Sequence, residues 1–241
     1  MMLLELSGIA KRFGGLEVIR RMDFGVETGE IVGLIGPNGA GKTTIFNLVM
    51  GGHRPDSGRI VFDGTDITRA ATEDICGHGI ARTFQVVKPF GNLTTWQNVM
   101  VGAFLRVRRK REARAWAAET LKLAGLWPRR HDLARGLTIG LRKRLEVARA
   151  LATRPRLLLL DEVMGGLNPT EVQNMIGLVR DVRAGGVSVL IIEHVMAAVM
   201  SLSDRIVVLH HGEKIAEGPP AHVARHPDVV QAYLGEEYLL A

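Results

Sequence analysis

Apolar positions follow one rhythm at the start of the chain, another in its middle and a third in its second half. Near the start, Leu3–Leu6, Glu17–Val26 and Glu30–Ile35 predict strands, punctuated by Asp23, Gly25, Thr28 and Gly29. Thr43 to Met50 predicts a helix opening directly after a glycine-rich loop, and Arg59–Phe62 a short strand before the turn Asp63-Gly64. From 95 to 125 the pattern becomes helical. Trp96, Val99, Met100, Ala103, Phe104 and Val107 fall at helical spacing behind a Thr94-Thr95 start, and a second stripe from Ala113 to Ala124 stops at Gly125. Arg156–Leu160, Val187–Ile192 and Ile206–Leu209 are continuous apolar runs, as in strands buried on both faces of a parallel sheet. The segments 141–153, 169–183 and 195–202 read as helical connectors. This is α/β order split by a helical insert.

Composition narrows the class. At 241 residues, with 46% hydrophobic and 23% charged, the chain has material for one large folded domain and too little for several. Lysine and arginine number 31 against 25 aspartate and glutamate, a net charge of +6, which suits an anionic ligand or surface as well as a plain solvated face. Much of that charge sits in Arg106–Arg114, read as a solvated helix corner. Cys76 is the only cysteine, which excludes an intrachain disulfide and a cysteine-cluster zinc site and fits a reducing compartment. Met1–Ala10 lacks the basic start of a signal peptide, and no apolar run approaches the ~20 residues of a spanning helix. If the protein serves a membrane, another chain does the spanning.

Two segments carry chemistry. Gly36, Pro37, Asn38, Gly39, Ala40, Gly41, Lys42, Thr43 fits G-x-x-x-x-G-K-[ST], with a strand before it and a helix after it. Glycines let successive amides turn inward on a phosphate, the helix N-terminus adds positive potential, Lys42 neutralises β/γ-phosphate charge, and Thr43 offers a hydroxyl to Mg²⁺. The run Arg156–Leu160 then delivers Asp161 and Glu162 at the carboxyl end of a buried strand. One carboxylate suits Mg²⁺, and the adjacent one suits a general base on the attacking water.

With these residues in order, the chain resembles the ATP-binding subunits of ABC transporters over nearly its full length. Gly36–Thr44 resembles their Walker A motif and Leu157–Glu162 their Walker B plus catalytic glutamate. Gln85 in Arg82-Thr-Phe-Gln matches the Q-loop, Gly165–Asn168 the D-loop and His194 the switch histidine, while Phe13 sits where the family places an adenine-stacking aromatic. Leu137–Leu141 occupies the place of the LSGGQ motif but keeps only Thr138 and Gly140 of its polar and glycine character, with Ile139 and Leu141 as departures. Val163 stands where a proline usually follows the catalytic glutamate. Gly79–Gln85, Ile192–His194 and the C-terminal Tyr233-Leu-Gly are similar to the branched-chain amino-acid importers.

The resemblance implies a single P-loop NTPase domain of ABC ATPase type. Its parts are a nucleotide-binding β-rich portion over 1–85 with an antiparallel subdomain, a helical subdomain at about 86–140, and the rest of the core at about 141–241. It implies ATP and Mg²⁺ as ligands: amides 38–44, Thr44 and Lys42 on phosphate; Thr43, Gln85 and Asp161 on the metal; Glu162 as base; His194 on the γ-phosphate; and Thr138 and Gly140 on the nucleotide of a second ATPase subunit. It implies a peripheral place on the cytoplasmic face of the membrane, docked on integral permease subunits and served indirectly by a solute-binding protein. The segment from Val86 to Leu93, with Phe90 at its tip, is the expected docking loop. A non-transport ABC ATPase acting on nucleic acid or ribosomes is the alternative. Such proteins carry a long coiled-coil insert or two fused cassettes, and neither is visible here, so no nucleic-acid partner is expected.

Overall fold

β1 (Met2–Phe13) and β2 (Leu16–Glu27) form an antiparallel hairpin, β3 (Ile31–Ile35) crosses into a parallel sheet, and α1 (Lys42–Val49) follows the glycine loop. β4 (Ser57–Phe62) and β5 (Thr65–Asp66) return to the antiparallel side, and α2 (Thr72–His78) leads to β6 (Ile80–Arg82). The insert carries α3 (Thr95–Ala103) and α4 (Lys110–Leu123). Then α5 (Ile139–Leu151), β7 (Leu157–Asp161), α6 (Pro169–Ala184), β8 (Ser188–Ile192), α7 (Met196–Leu202) and β9 (Arg205–His210) alternate. β10 (Glu213–Gly218), α8 (Pro220–Val223) and α9 (Pro227–Leu239) complete the chain. This computed structural model describes residues 1–239, with side chains through Tyr233, so Leu234 and Gly235 of the C-terminal Tyr-Leu-Gly lie outside the described side chains.

The strands make one sheet in the order β5-β4-β1-β2-β10-β9-β3-β8-β7-β6. From β9 to β6 neighbouring strands are parallel, from β5 to β2 antiparallel, and β10 joins the halves through the pair Glu213–Arg21. The apolar runs are buried on both faces as their composition requires. In β7, Leu157 and Leu159 join the core shared with α1 and the antiparallel strands, while Leu158 and Leu160 join the core under α6. In β8, Leu190 and Ile192 take the first side and Val189 and Ile191 the second. Each fully buried aliphatic side chain is worth about 1.5–3 kcal/mol, so these strands are the least movable part of the molecule.

The insert departs from the expected helical stretch. α3 stops at Ala103, so Phe104 and Val107 lie beyond it, and Phe104 is exposed. Arg106 gives the reason for the corner. Its guanidinium donates to the backbone carbonyls of Thr153, Gly77 and Cys76, tying the turn to the adjoining loops while the residue stays exposed. The basic side chains of the stretch, Arg106 included, are exposed, as expected of a solvated corner. β6 and β10, together with α2, α8 and α9, lie outside the elements that the apolar pattern marks. β6 is only three residues long, and β10 reads Glu-Lys-Ile-Ala-Glu-Gly.

The loop after Gln85 is tied to α3 by one buried amide. Asn98, fully buried, donates from Nδ2 to the carbonyls of Phe90, Leu93 and Thr94, and its Oδ1 accepts the Phe90 N–H at 2.9 Å. Asn98→Ala leaves the Phe90 N–H without its acceptor and takes a second donor from three carbonyls that keep their backbone partners, which costs about 1–3 kcal/mol. Urea denaturation with hydrogen exchange at 86–94 checks this. The expected result is lower stability together with faster exchange in that loop.

Candidate active site

The phosphate loop leaves a fully buried strand. All five residues of β3 are buried, and the chain then turns at Gly36, whose φ of 151° and lack of a side chain are both required: a Cβ there would lie 2.1 Å from the Leu209 carbonyl oxygen. Gly41, at φ 106°, is the N-cap of α1 and makes no side-chain cap, so the first amides of the helix are open to an anion. Pro37 and Ala40 are buried and hold the loop down, while Asn38 and Gly39 are exposed at its crest. Lys42 is 6% exposed, and its ammonium donates to the carbonyls of Gly36 at 2.6 Å and Pro37 at 2.8 Å, which folds the side chain back over the loop.

A cavity of about 430 Å³ opens over this loop, lined by Asn38, Gly39, Gly41, Lys42, Thr43 and Thr44 on one side and by Gln85, Glu162 and His194 on the other. Leu16 and Val18 of β2 complete the wall. Phe13 does not line the cavity. It pairs with Leu16 across the hairpin, is partly exposed, and meets His53 edge-on at 5.0 Å. A second cavity of about 480 Å³ adjoins the first through Thr43 and Gln85 and reaches Asp161.

β7 sets the two carboxylates apart. Asp161 ends the strand and is 2% exposed, and its carboxylate pairs with Arg82 at 2.6 Å. Arg82 also donates to Asn47 Oδ1, and the Thr83 hydroxyl accepts the Asp161 N–H. Glu162 then leaves the strand in the left-handed region at φ 50°, a conformation that a residue with a side chain keeps only under constraint. The kink turns its carboxylate toward the cavity. Gln85 Nε2 donates to Glu162 Oε2 at 2.5 Å, and His194 Nε2 lies 2.6 Å from Glu162 Oε1. The contact with an ionised carboxylate requires the proton on Nε2. The structure thus gathers Walker A, Gln85, Asp161, Glu162 and His194 around adjoining cavities.

Thr138 and Gly140 stand elsewhere on this chain. Thr138 is the N-cap of α5, accepting the Leu141 N–H, and Gly140 packs so closely on Glu171 that a Cβ would meet its carboxylate at 2.4 Å. Leu141 is half-buried against the core of the insert. Three residues at the site carry roles that the motifs do not announce: Arg82, Lys143 and Glu193. Lys143 and Glu193 are buried behind Glu162. Burial pushes the Glu193 carboxyl above the usual carboxylate range and pulls the Lys143 ammonium below its own. Arg82 gives no sequence signal of its own, because the strand that it ends, β6, is only three residues long.

A glycine loop between a buried strand and a helix, with a carboxylate pair at the carboxyl end of another strand of the same parallel sheet, defines a P-loop NTPase. Residues 19–165 match the ABC transporter family, and 213–238 match the branched-chain amino acid ATP-binding cassette transporter family. The chain is 40% identical over 97% of its length to the high-affinity branched-chain amino acid transport ATP-binding protein BraF of Pseudomonas aeruginosa, covering 98% of that protein. It is 37% identical, with the same coverage of both chains, to LivG of Escherichia coli, which bears the same description. A nucleotide-free ATP-binding cassette from an ABC transporter superposes with a TM-score of 0.88 at 29% identity, over 97% of this chain and 99% of that one. The chain belongs to the ABC transporter ATP-binding family, in its branched-chain amino-acid transport group, and is an ATPase.

The Arg82–Asp161 pair yields a measurable consequence. Arg82→Met leaves a buried carboxylate without its counter-charge, a loss of about 3–5 kcal/mol. Thermal melts of the nucleotide-free chain are expected to show that loss.

Proposed function

We propose that this chain powers import of branched-chain or related amino acids as one of two ATP-binding subunits on the cytoplasmic face of a membrane permease, with a solute-binding protein delivering the cargo. Among the described residues no helix is long and apolar enough to cross a membrane, so work on a membrane passes through other chains. The names of the relatives support the cargo class. The observation that carries the chemistry is Glu162, held between Gln85 and His194 at the wall of the phosphate-loop cavity.

ATP lies with its phosphates on amides 38–44 and Lys42, and with its adenine toward Phe13. The residues present suit Mg²⁺: the Thr43 hydroxyl, the Gln85 amide oxygen and the Asp161 carboxylate border one cavity. When bound, Mg²⁺ supplies charge neutralisation on the β- and γ-phosphates. Both oxygens of Glu162 are engaged, by Gln85 and by His194. As Gln85 turns its oxygen toward the metal site, it releases Glu162 Oε2 to accept a proton from the attacking water. His194 then donates to the γ-phosphate. Attack breaks the bond between the γ-phosphorus and the bridging oxygen, giving ADP and phosphate.

The placement of Thr138 and Gly140 outside this chain's own cavity supports a head-to-tail pair of cassettes, homo- or heteromeric, in which each chain's α5 N-terminus faces its partner's nucleotide. ATP favours the closed pair because only there does it meet both surfaces, and hydrolysis reopens it. Glu162→Gln keeps the shape and removes the base. It is expected to bind ATP normally, to lose at least ~100-fold of turnover and to accumulate as an ATP-bound dimer in gel filtration. Near-parental ATPase activity contradicts the assignment.

The permease dock lies beside Gln85. Phe84 and Val86 are more than half exposed, and Phe90 is 46% exposed with Arg149 stacked on its ring. Exposed apolar residues in a loop rooted at a metal-contacting glutamine link nucleotide state to a neighbouring surface. Phe90→Ser is expected to spare the ATPase of the isolated chain and to abolish both co-purification with the permease and stimulation by it. Normal stimulation moves the dock elsewhere.

A further inference from the structure

Behind Glu162 lies a buried pair of charges that the hydrolytic scheme does not use. Lys143, on the second turn of α5, is 7% exposed, and Glu193, between β8 and His194, is 1% exposed. The Lys143 ammonium donates to the Glu162 carbonyl at 2.8 Å and to the Gly165 carbonyl at 2.6 Å. The Glu193 carboxylate accepts the Met164 N–H at 2.6 Å on one oxygen and the His194 N–H at 3.3 Å on the other. Four backbone groups after β7 and β8 are therefore held by two side chains of opposite charge.

We propose that Lys143 and Glu193 are positioning residues for ATP hydrolysis, together holding Glu162 and His194 in the orientation in which base and γ-phosphate donor face one substrate. The inference rests on the reading of Glu162 as the base. Three observations carry it. Glu162 sits at φ 50°, and such a backbone persists only where its surroundings over-determine it. The Ile192 carbonyl accepts the Glu162 N–H at 2.9 Å, and Lys143 holds the carbonyl of the same residue, so both of its peptide groups are fixed. Glu193 bridges the loop after Glu162 to the amide of His194, so a displacement of either loop is felt by the other. Hydrophobic residues in these places could fill the volume but would leave the carbonyls of Glu162 and Gly165 and the amides of Met164 and His194 unpaired.

The lysine also links two sites. It projects from the helix whose N-terminus faces the partner's nucleotide, and it grips the residue that serves this chain's own nucleotide.

The test uses the full-length chain and the variants Glu193→Gln and Lys143→Met, with ATPase kinetics, equilibrium binding of a fluorescent ATP analogue and thermal melting measured on each. Gln at 193 turns an amide donor toward one of two N–H groups and removes the negative charge beside Lys143. Misplacement by about an ångström costs ~100-fold in rate. The expected result is kcat lowered ~10–100-fold with nucleotide affinity within about twofold of the parent. A merely structural role lowers turnover in step with the fraction of chains that bind nucleotide, leaving kcat per occupied site at the parental value, and that result overturns the proposal, as does a kcat per occupied site within about threefold of the parent. If Lys143→Met does not fold, Glu193→Gln, which preserves volume, decides alone. Glu162→Gln, assayed in parallel, separates the two readings. Activity in that variant removes the base assignment, whereas its inactivity beside fully active Glu193→Gln removes only the positioning role.

Discussion

The site depends on one strand that cannot move. Leu157, Leu158, Leu159 and Leu160 are buried completely, two on each face of the sheet, so β7 is locked in register with β6 and β8. A register slip of one residue would exchange the two faces and bury the wrong side chains. Asp161 and Glu162 inherit that fixity. The first ends the strand among Arg82, Thr83 and Asn47 in the interior. The second leaves through a left-handed turn into the cavity. Adjacent carboxylates thus meet opposite environments, one suited to a cation and the other to a water molecule.

Around this strand the other parts act as coupled supports. The phosphate loop follows β3, His194 follows β8 and Arg82 ends β6, all strands of one parallel sheet whose carboxyl ends open on the same side. Two buried side chains tie neighbouring segments to the arrangement: Asn98 of α3 holds the loop after Gln85, and Lys143 of α5 holds the turn after β7. The cavity wall at Gln85, the loop that follows it and α3 are thus linked by a few hydrogen bonds.

What the sequence makes legible follows from how local each cause is. The Walker A loop, β7 and β8 are readable because their residues, in order, demand the same structure that the tertiary fold imposes. Gln85 and His194 are readable only as members of an ordered set. β6 and β10 escape because one is very short and the other mixes charged and apolar residues, and both are held by pairing with partners far along the chain. The helix boundary at Ala103 escapes because Arg106 finds its acceptors near 76 and 153. Arg82, Lys143 and Glu193 escape for the same reason: each is an ordinary charged residue in sequence, and only the packing shows which peptide group or carboxylate it satisfies.

The central claim is the division of labour between Asp161 and Glu162, and metal affinity measures it most directly. Electron paramagnetic resonance titration of Mn²⁺ with ATP can be performed on the parent chain, Asp161→Asn and Glu162→Ala. The account predicts metal binding weakened at least ~10-fold by Asp161→Asn and unchanged by Glu162→Ala, because only Asp161 borders the metal site in the interior. Weakening by Glu162→Ala, or indifference to Asp161→Asn, would contradict it.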